Sequence, residues 1–367
     1  MDDPHMKATV AMPSVGKTIL VVGFTPARIP RDTYPLTGLA ERGYTITYCS
    51  EESPDMGKYW RLFRRIRALR GTYDLLYVTY TSPVAAIIAR LAGNKRIVYN
   101  ALSPQYESAV LDRKLHSPYS LAAIKFWLTD FLAFHAANLL LIETNAQIAF
   151  IARTYAVRTA KCLRVWTGAD EHDFPYDPEH TKHSDFTVVF RGTFMPFAGI
   201  DIILDAMDLL RNEAIRFRIV GRGVLKEYVR NRVTAMRHPN ITLDIGFFSQ
   251  EYIVEAMQTA HVSLGQFSTE GRAQRTITSK TFESLCLGLP FITGDAASTR
   301  ELLVDRENCL YVPCGNPRAL ADAILSLSKN PEQVALMSRA NRRLFERECT
   351  PRAIAADIVP FVEKLIG

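Results

Sequence analysis

The strongest constraint on how this chain folds is an alternation of short apolar runs with helical segments that runs through it twice. Thr18-Ile-Leu-Val-Val-Gly-Phe24 is β-branched, apolar and closed by glycine, as a buried parallel strand is. Residues 35–42 follow with helical spacing, and Gly43 stands where a helix end wants a left-handed residue. Strands at 44–49, 75–80, 96–99 and 139–143 then alternate with helices near 84–91 and 120–137. The pattern restarts with strands at 186–190, 216–220, 241–245, 261–264 and 291–293 and helices at 200–210 and 280–287. Helices follow at 317–327 and 332–348, and a tail helix at 353–366.

Such an alternation predicts an α/β chain of two Rossmann-like, doubly wound domains facing each other across a cleft. The length, 367 residues, suits two domains of roughly 100–200 each. The polar stretch 168–185, with Pro175 and Pro178, reads as their joint. The expected division is a disordered leader at 1–17, an N-terminal acceptor-side domain at 18–175, a C-terminal donor domain at 176–350 and a helix at 351–367 crossing back to the first domain. In open parallel sheets ligands bind beyond the carboxyl ends of the strands, so the cleft is the expected site.

Composition excludes several classes. Hydrophobic residues make up 48% and charged residues 22%, which is ordinary for a globular core and not for a disordered or fibrous chain. Cys49, Cys162, Cys286, Cys309, Cys314 and Cys349 show no paired spacing, so a reducing, cytoplasmic setting is expected rather than a disulfide framework. The stretch 121–142 is apolar but carries Lys125, Asp130 and His135, so a buried helix running into a strand is expected, not a membrane span. A net charge of +6 favours anionic partners, and nucleic acid is not expected among them.

The most informative block is 264–301. Ser279 is a good N-cap residue, which sets Lys280 in a first helical turn, where the helix dipole disfavours a cation by a few tenths to about 1 kcal/mol. Arg272 and Arg275 lie just upstream and add to the repulsion. A phosphate bound at this helix start relieves the conflict. Solvated surface charges on flexible stems are the plain alternative. Glu283, one turn on, can accept ribose hydroxyls or simply stabilise the first turn. Gly23, Gly192 and the pair Gly221 and Gly223 follow strands; each permits close backbone approach to a ligand, or a tight turn.

Lys58-Tyr-Trp-Arg-Leu-Phe-Arg-Arg-Ile-Arg-Ala-Leu-Arg70 carries six basic residues in thirteen. Its apolar face sets Arg61, Arg64 and Arg65 largely opposite, which suits an anionic membrane surface. The alternative, that the apolar face packs on its own sheet, is the favoured one.

The second half resembles the retaining GT-B glycosyltransferases often called family 4. The likeness is carried by 188–206, 218–223, 241–247 and 265–301, the last with Ser279-Lys280-x-x-Glu283 and Gly288-x-Pro290. Before residue 180 it rests on layout and on Gly168-Ala-Asp-x-x-x-Phe174. The resemblance implies that Arg272 and Lys280 hold a donor diphosphate and that Glu283 binds the ribose. Gly221, Gly223 and Phe247 would border the base, with Gly192 and Thr193 beside the donor and Gly23 facing the phosphates. It also implies retention of configuration. No Asp-x-Asp or metal-spaced cluster is present, so leaving-group charge is expected to be met by cations and helix dipoles, with no metal or cofactor.

The departures are specific. Arg275 replaces the first of the family's two glutamates, Ala198 stands where a basic residue is usual, and Thr193 where an arginine is usual. Asp112, Arg113 and His116 are the candidates for the acceptor side. The expected partners are a nucleotide-sugar donor, a saccharide or lipid-linked acceptor and an anionic membrane surface. A nucleotide-sugar epimerase and a nucleotide-binding subunit without turnover are the alternatives.

Overall fold

The computed structural model describes residues 16–24 and 29–367; all but the last two residues of the expected leader lie outside them. Strands β1 (Thr18–Gly23), β2 (Thr45–Ser50), β3 (Leu75–Val78), β4 (Ile97–Asn100), β5 (Leu139–Ile142) and β6 (Cys162–Arg164) form a parallel sheet in the order β2-β1-β3-β4-β5-β6. Every residue of β3, β4 and β5 is buried, because helices cover both faces. Those helices are α1 (Pro30–Glu41), α2 (Lys58–Ala68), α3 (Pro83–Leu91), α4 (Leu121–Ala136) and α5 (Asn145–Tyr155).

The second sheet contains β7 (Phe186–Thr193), β8 (Ile215–Arg222), β9 (Ile241–Ile245), β10 (Val262–Leu264), β11 (Phe291–Gly294) and β12 (Cys309–Val312). Its order is β12-β11-β10-β7-β8-β9, again all parallel. Helices α6 (Ile200–Leu209), α7 (Lys226–Met236), α8 (Gln250–Gln258), α9 (Ser279–Cys286), α10 (Pro317–Ser328), α11 (Pro331–Leu344) and α12 (Pro351–Ile366) complete the chain. The winding reverses between β1 and β3 in the first sheet and between β7 and β10 in the second. Those reversals open a crevice at the carboxyl edge of each sheet.

Two differences from the sequence-based expectation have physical causes. Helix α1 starts at Pro30 rather than at Pro35, so Pro35 lies inside it. A proline there withholds a hydrogen bond from the carbonyl four residues back, that of Arg31. The Asn100 side-chain amide donates to that carbonyl instead, at 2.9 Å. At α9 the N-cap is Thr278, not Ser279, and no side chain caps the helix. The edge strands β6 and β12 and helices α5, α7 and α8 were not anticipated; β6, at three residues, is too short to show a period.

The two sheets share one apolar cluster, with Trp166 just after β6 and Phe174 from the joint packed among Phe282, Leu285, Phe345 and Ile354. Helix α12 does cross back, onto α1. A Cβ added to Gly38 would stand 1.9 Å from the Pro351 carbonyl oxygen, so the two backbones meet where only glycine fits. The Tyr44 hydroxyl and the Lys17 ammonium both engage Glu363 of α12. Gly38→Ala is expected to lower unfolding free energy by about 1–3 kcal/mol, the usual cost of overpacking. Urea denaturation checks it; an unchanged midpoint would mean that α12 does not seat on α1 this closely.

Candidate functional site

A cavity of about 240 Å³ lies between the carboxyl edges of the two sheets. Arg31, Tyr80 and Glu143 line it from the first domain, and Gly192, Arg272 and Lys280 from the second. A second hollow of about 160 Å³ shares Arg191, Gly192 and Thr193 with it and is bounded by Gly221, Arg222 and Phe247. The Arg222 guanidinium carbon lies over the exposed Phe247 ring, 3.7 Å from its centroid. Gly221 and Gly223 are set by packing: their Cβ atoms would meet the Gly192 carbonyl at 2.0 Å and the Phe194 carbonyl at 2.5 Å. Gly23 ends β1 and lines neither hollow.

Lys280 is not a solvated surface charge. Its side chain is buried, with Nζ 3.4 Å from the Gly265 carbonyl and 4.0 Å from the centre of the Phe190 ring. Among the described residues no carboxylate comes within ion-pair distance of it. Gly192 makes the room: a Cβ there would stand 2.8 Å from Lys280 Cε. Burial, reinforced by the nearby Arg191, lowers the Lys280 pKa to about 7, with Glu283 opposing. Beside it the Thr278 hydroxyl is buried without a partner among the described residues. An uncapped helix start, an orphaned hydroxyl and an unmatched ammonium thus converge on the switch point of the second sheet.

The arginines that the second domain brings to the cleft from β7 and from the loop before α9 are matched. Arg191 Nη1 stands 2.7 Å from Glu283 Oε2 and donates to Oε1 at 2.8 Å, so the expected ribose acceptor is held by an arginine at the end of β7. Burial raises the Glu283 pKa, and Arg191 and Lys280 oppose that. Arg272 pairs with Asp112 at 2.8 Å and lies 4.7 Å from the Phe197 ring centre. Arg275 donates to Glu107 Oε1 at 2.7 and 3.0 Å, and Gln147 donates to the other oxygen at 2.6 Å. Both loop arginines are therefore bonded to buried carboxylates of the first domain. Arg275, a departure from the resemblance noted above, thus bridges the two domains.

Three functional candidates escaped sequence reading: Arg191, Arg31 and Glu143. Arg31 is buried, donates from Nε to Asn100 at 2.8 Å and from Nη1 to the Val165 carbonyl at 2.5 Å. Its Nη2 has no hydrogen-bond partner among the described residues. Glu143 accepts from Thr167 and from the Ile277 amide, and burial raises its pKa against the pull of Arg31. Asp32, behind them, has its pKa raised to about 6 by burial. Arg31 falls in a stretch without periodicity. Glu143 and Arg191 did carry a signal, a charge closing an apolar strand at its carboxyl end.

The acceptor-side candidates separate. Asp112 reaches the cleft through Arg272, whereas Arg113 folds back onto Ser108 and His116 lies against Phe126 with the rings tilted at 42°, both side chains in water. In α2, Leu62 and Ile66 are buried against the sheet, as the favoured alternative had it. Arg61 pairs with Asp55 and Glu51, Arg65 with Glu51, and Arg64 is exposed. Among the described residues no group of three or more side chains could hold a metal ion.

Lys280 gives a stability test. Its folded pKa is below its unfolded value of 10.5, so the unfolded chain binds more protons between about 7 and 10.5. The destabilisation is complete below about 7 and fades as pH rises toward 10.5. In urea denaturation without added anions, Lys280→Met is expected to exceed wild type in stability below pH 7 and to converge with it on the alkaline side. A pH-independent difference would contradict a buried, titrating lysine.

Residues 185–330 match the family model described as glycosyl transferases group 1. A protein of Methanocaldococcus jannaschii, described as an uncharacterised glycosyltransferase, is 26% identical over 144 residues; these cover 39% of this chain and 38% of that relative. Among solved structures, HepE of Anabaena in complex with UDP superposes with a TM-score of 0.72 at 14% identity, over 95% of this chain and all of that one. Sucrose-phosphate synthase of Thermosynechococcus elongatus gives 0.75 at 14% identity, over 95% and 99% of the two chains. Over residues 185–330 the chain therefore resembles glycosyl transferases group 1, and over its described residues it takes the two-domain GT-B fold.

Proposed function

We propose that the chain transfers a glycosyl group from a nucleotide-diphosphate sugar to an acceptor hydroxyl in the cleft between its sheets. The observation that carries this reading is Lys280, a buried ammonium with no carboxylate at hand, set beside an uncapped helix start. A diphosphate there supplies the missing charge. As the bond from the anomeric carbon to the diphosphate oxygen breaks, the electron pair stays on that oxygen, where Lys280 and the α9 amides hold it. The acceptor hydroxyl bonds to the anomeric carbon and gives its proton to the departing phosphate oxygen. Attack on the same face retains configuration, and fixed cations take the place of a metal.

The hollow bounded by Gly221, Arg222 and Phe247 suits the base. Thr193 lines both hollows and stands between base and phosphates. Glu283 lines neither hollow but is bonded to Arg191, which lines both, and it would share its carboxylate between that arginine and the ribose. Arg272 joins the diphosphate by exchanging Asp112 for phosphate, and Arg31 faces the transferred sugar from the first domain. The acceptor is a saccharide, lipid-linked or close to a membrane, and the chain works in the cytoplasm. HepE has been seen with UDP and with UDP-glucose, so uridine conjugates are the first donors to try.

Thermal unfolding of wild type and Lys280→Ala with UDP, GDP, ADP and their sugar conjugates, in a metal chelator, tests the reading. At a hundred times its dissociation constant a ligand stabilises the native state by about 2.7 kcal/mol. A shift with one nucleotide series, kept in chelator and lost in the variant, is expected. No shift with any of them would remove the donor site. Release of free nucleotide only when an acceptor is present would count against the epimerase.

A further inference from the structure

Helix α4 is apolar over most of its circumference, interrupted by Lys125, Thr129, Asp130 and His135, a pattern that ordinarily marks a helix largely enclosed by its own protein. Only one side of it is enclosed: Ala123, Ala133 and Phe134 are buried against the first domain. On the other side Leu121, Ile124, Leu128 and Leu132 are 85%, 55%, 46% and 44% exposed. They lie at spacings of three and four, so they form one stripe along the helix. The segment leading into the helix continues the surface, with Leu115 exposed and Tyr119 94% exposed. A continuous apolar stripe in water marks an interaction face rather than ordinary surface.

Charge identifies the partner. From residue 111 to 135 the exposed side chains include Arg113, Lys114, Lys125 and His135 but no carboxylate. The two acids in that stretch, Asp112 and Asp130, are both buried. We infer that this face, helix α4 with residues 113–119, docks on an anionic lipid surface, its leucines and Ile124 entering the acyl boundary and its cations meeting headgroups. The helix lies along the surface, since no helix among the described residues is long and apolar enough to cross a membrane. A protein partner of the usual kind would be expected to answer an apolar stripe with a mixed polar rim; within residues 111–135 the exposed charges are of one sign, and although Lys114 is paired with Glu270 of the neighbouring loop, Arg113 and Lys125 have no ion-pair partner among the described residues.

The position relative to the cleft fits. Asp112, which holds Arg272 at the cavity wall, immediately precedes the docking segment, and Lys114 Nζ is 3.5 Å from Glu270 of the same C-terminal loop. A membrane-held acceptor would reach the cleft at this end. That use rests on the proposed transferase reading; the docking itself does not. The basic helix α2, more conspicuous in sequence, is the lesser candidate, because two of its arginines are already paired with Glu51 and Asp55.

Co-sedimentation of the full chain with vesicles of phosphatidylcholine alone, and of phosphatidylcholine with phosphatidylglycerol in equal parts, tests the inference. Wild type is expected on the anionic vesicles only. Leu121→Ser with Ile124→Ser should weaken that binding by about ten-fold or more, since both side chains lose their apolar burial. Arg113→Gln with Lys125→Gln should weaken it and flatten its salt dependence, whereas Arg64→Gln in α2 should leave it unchanged. Both α4 side chains are more than half exposed, so urea midpoints should stay near wild type and separate lost docking from lost folding. Absence of vesicle binding would overturn the inference. So would loss of binding on Arg64→Gln with the α4 variant intact. A wild-type dimer that the α4 variant makes monomeric, without vesicle binding, would assign the face to a second copy of the chain. Nucleotide-induced stabilisation, read on the same variants, reports separately on the donor site.

Discussion

The charge of Lys280, held out of water at the turn of the second sheet, is the constraint around which the cleft is organised. An ammonium in that position needs space, and Gly192 provides it by lacking a Cβ. It also needs company, and among the described residues finds a carbonyl and the face of Phe190. A cation against an aromatic face gains roughly 0.5–2 kcal/mol, much less than full burial of a charge costs. The balance is left for an anion. Its neighbours are arranged so that none supplies one: Glu283 is taken by Arg191, and Asp112 by Arg272.

The same arrangement joins the domains. Arg272 and Arg275 leave the second domain and end on Asp112 and Glu107 of the first, both carboxylates fully buried. Removing one partner from such a pair leaves an uncompensated buried charge, so these contacts set the relation of the two sheets more than they add stability. In the proposed reading an entering phosphate would compete with Asp112 for Arg272, which would make ligand binding and domain contact parts of one electrostatic balance. Helix α12 and the apolar cluster around Trp166 and Phe345 keep the domains together meanwhile.

How much of this was legible from residues follows from range. Strand positions were visible because doubly covered parallel strands such as β5, Leu-Leu-Leu-Ile, have to be apolar throughout. Lys280 and Glu283 were visible because a helix start with a cation in it is a local contradiction. Arg31 was not visible. Its importance depends on Asn100 taking over a hydrogen bond that Pro35 removes, an arrangement linking residues 69 positions apart. The α4 stripe was read as a buried helix, since an apolar segment looks the same in sequence whether protein or another medium covers it.

What the sequence determined by itself was the class: two doubly wound α/β units and a cationic block at one helix start. Both follow from period and from charge over a few neighbouring residues. Only the tertiary structure decided which charges are matched. Arg61, Arg191, Arg272 and Arg275 each find a carboxylate, and Lys280 finds none among the described residues. The physical reason is that ionic pairing depends on a few ångströms between side chains, and strand order sets those separations across hundreds of residues.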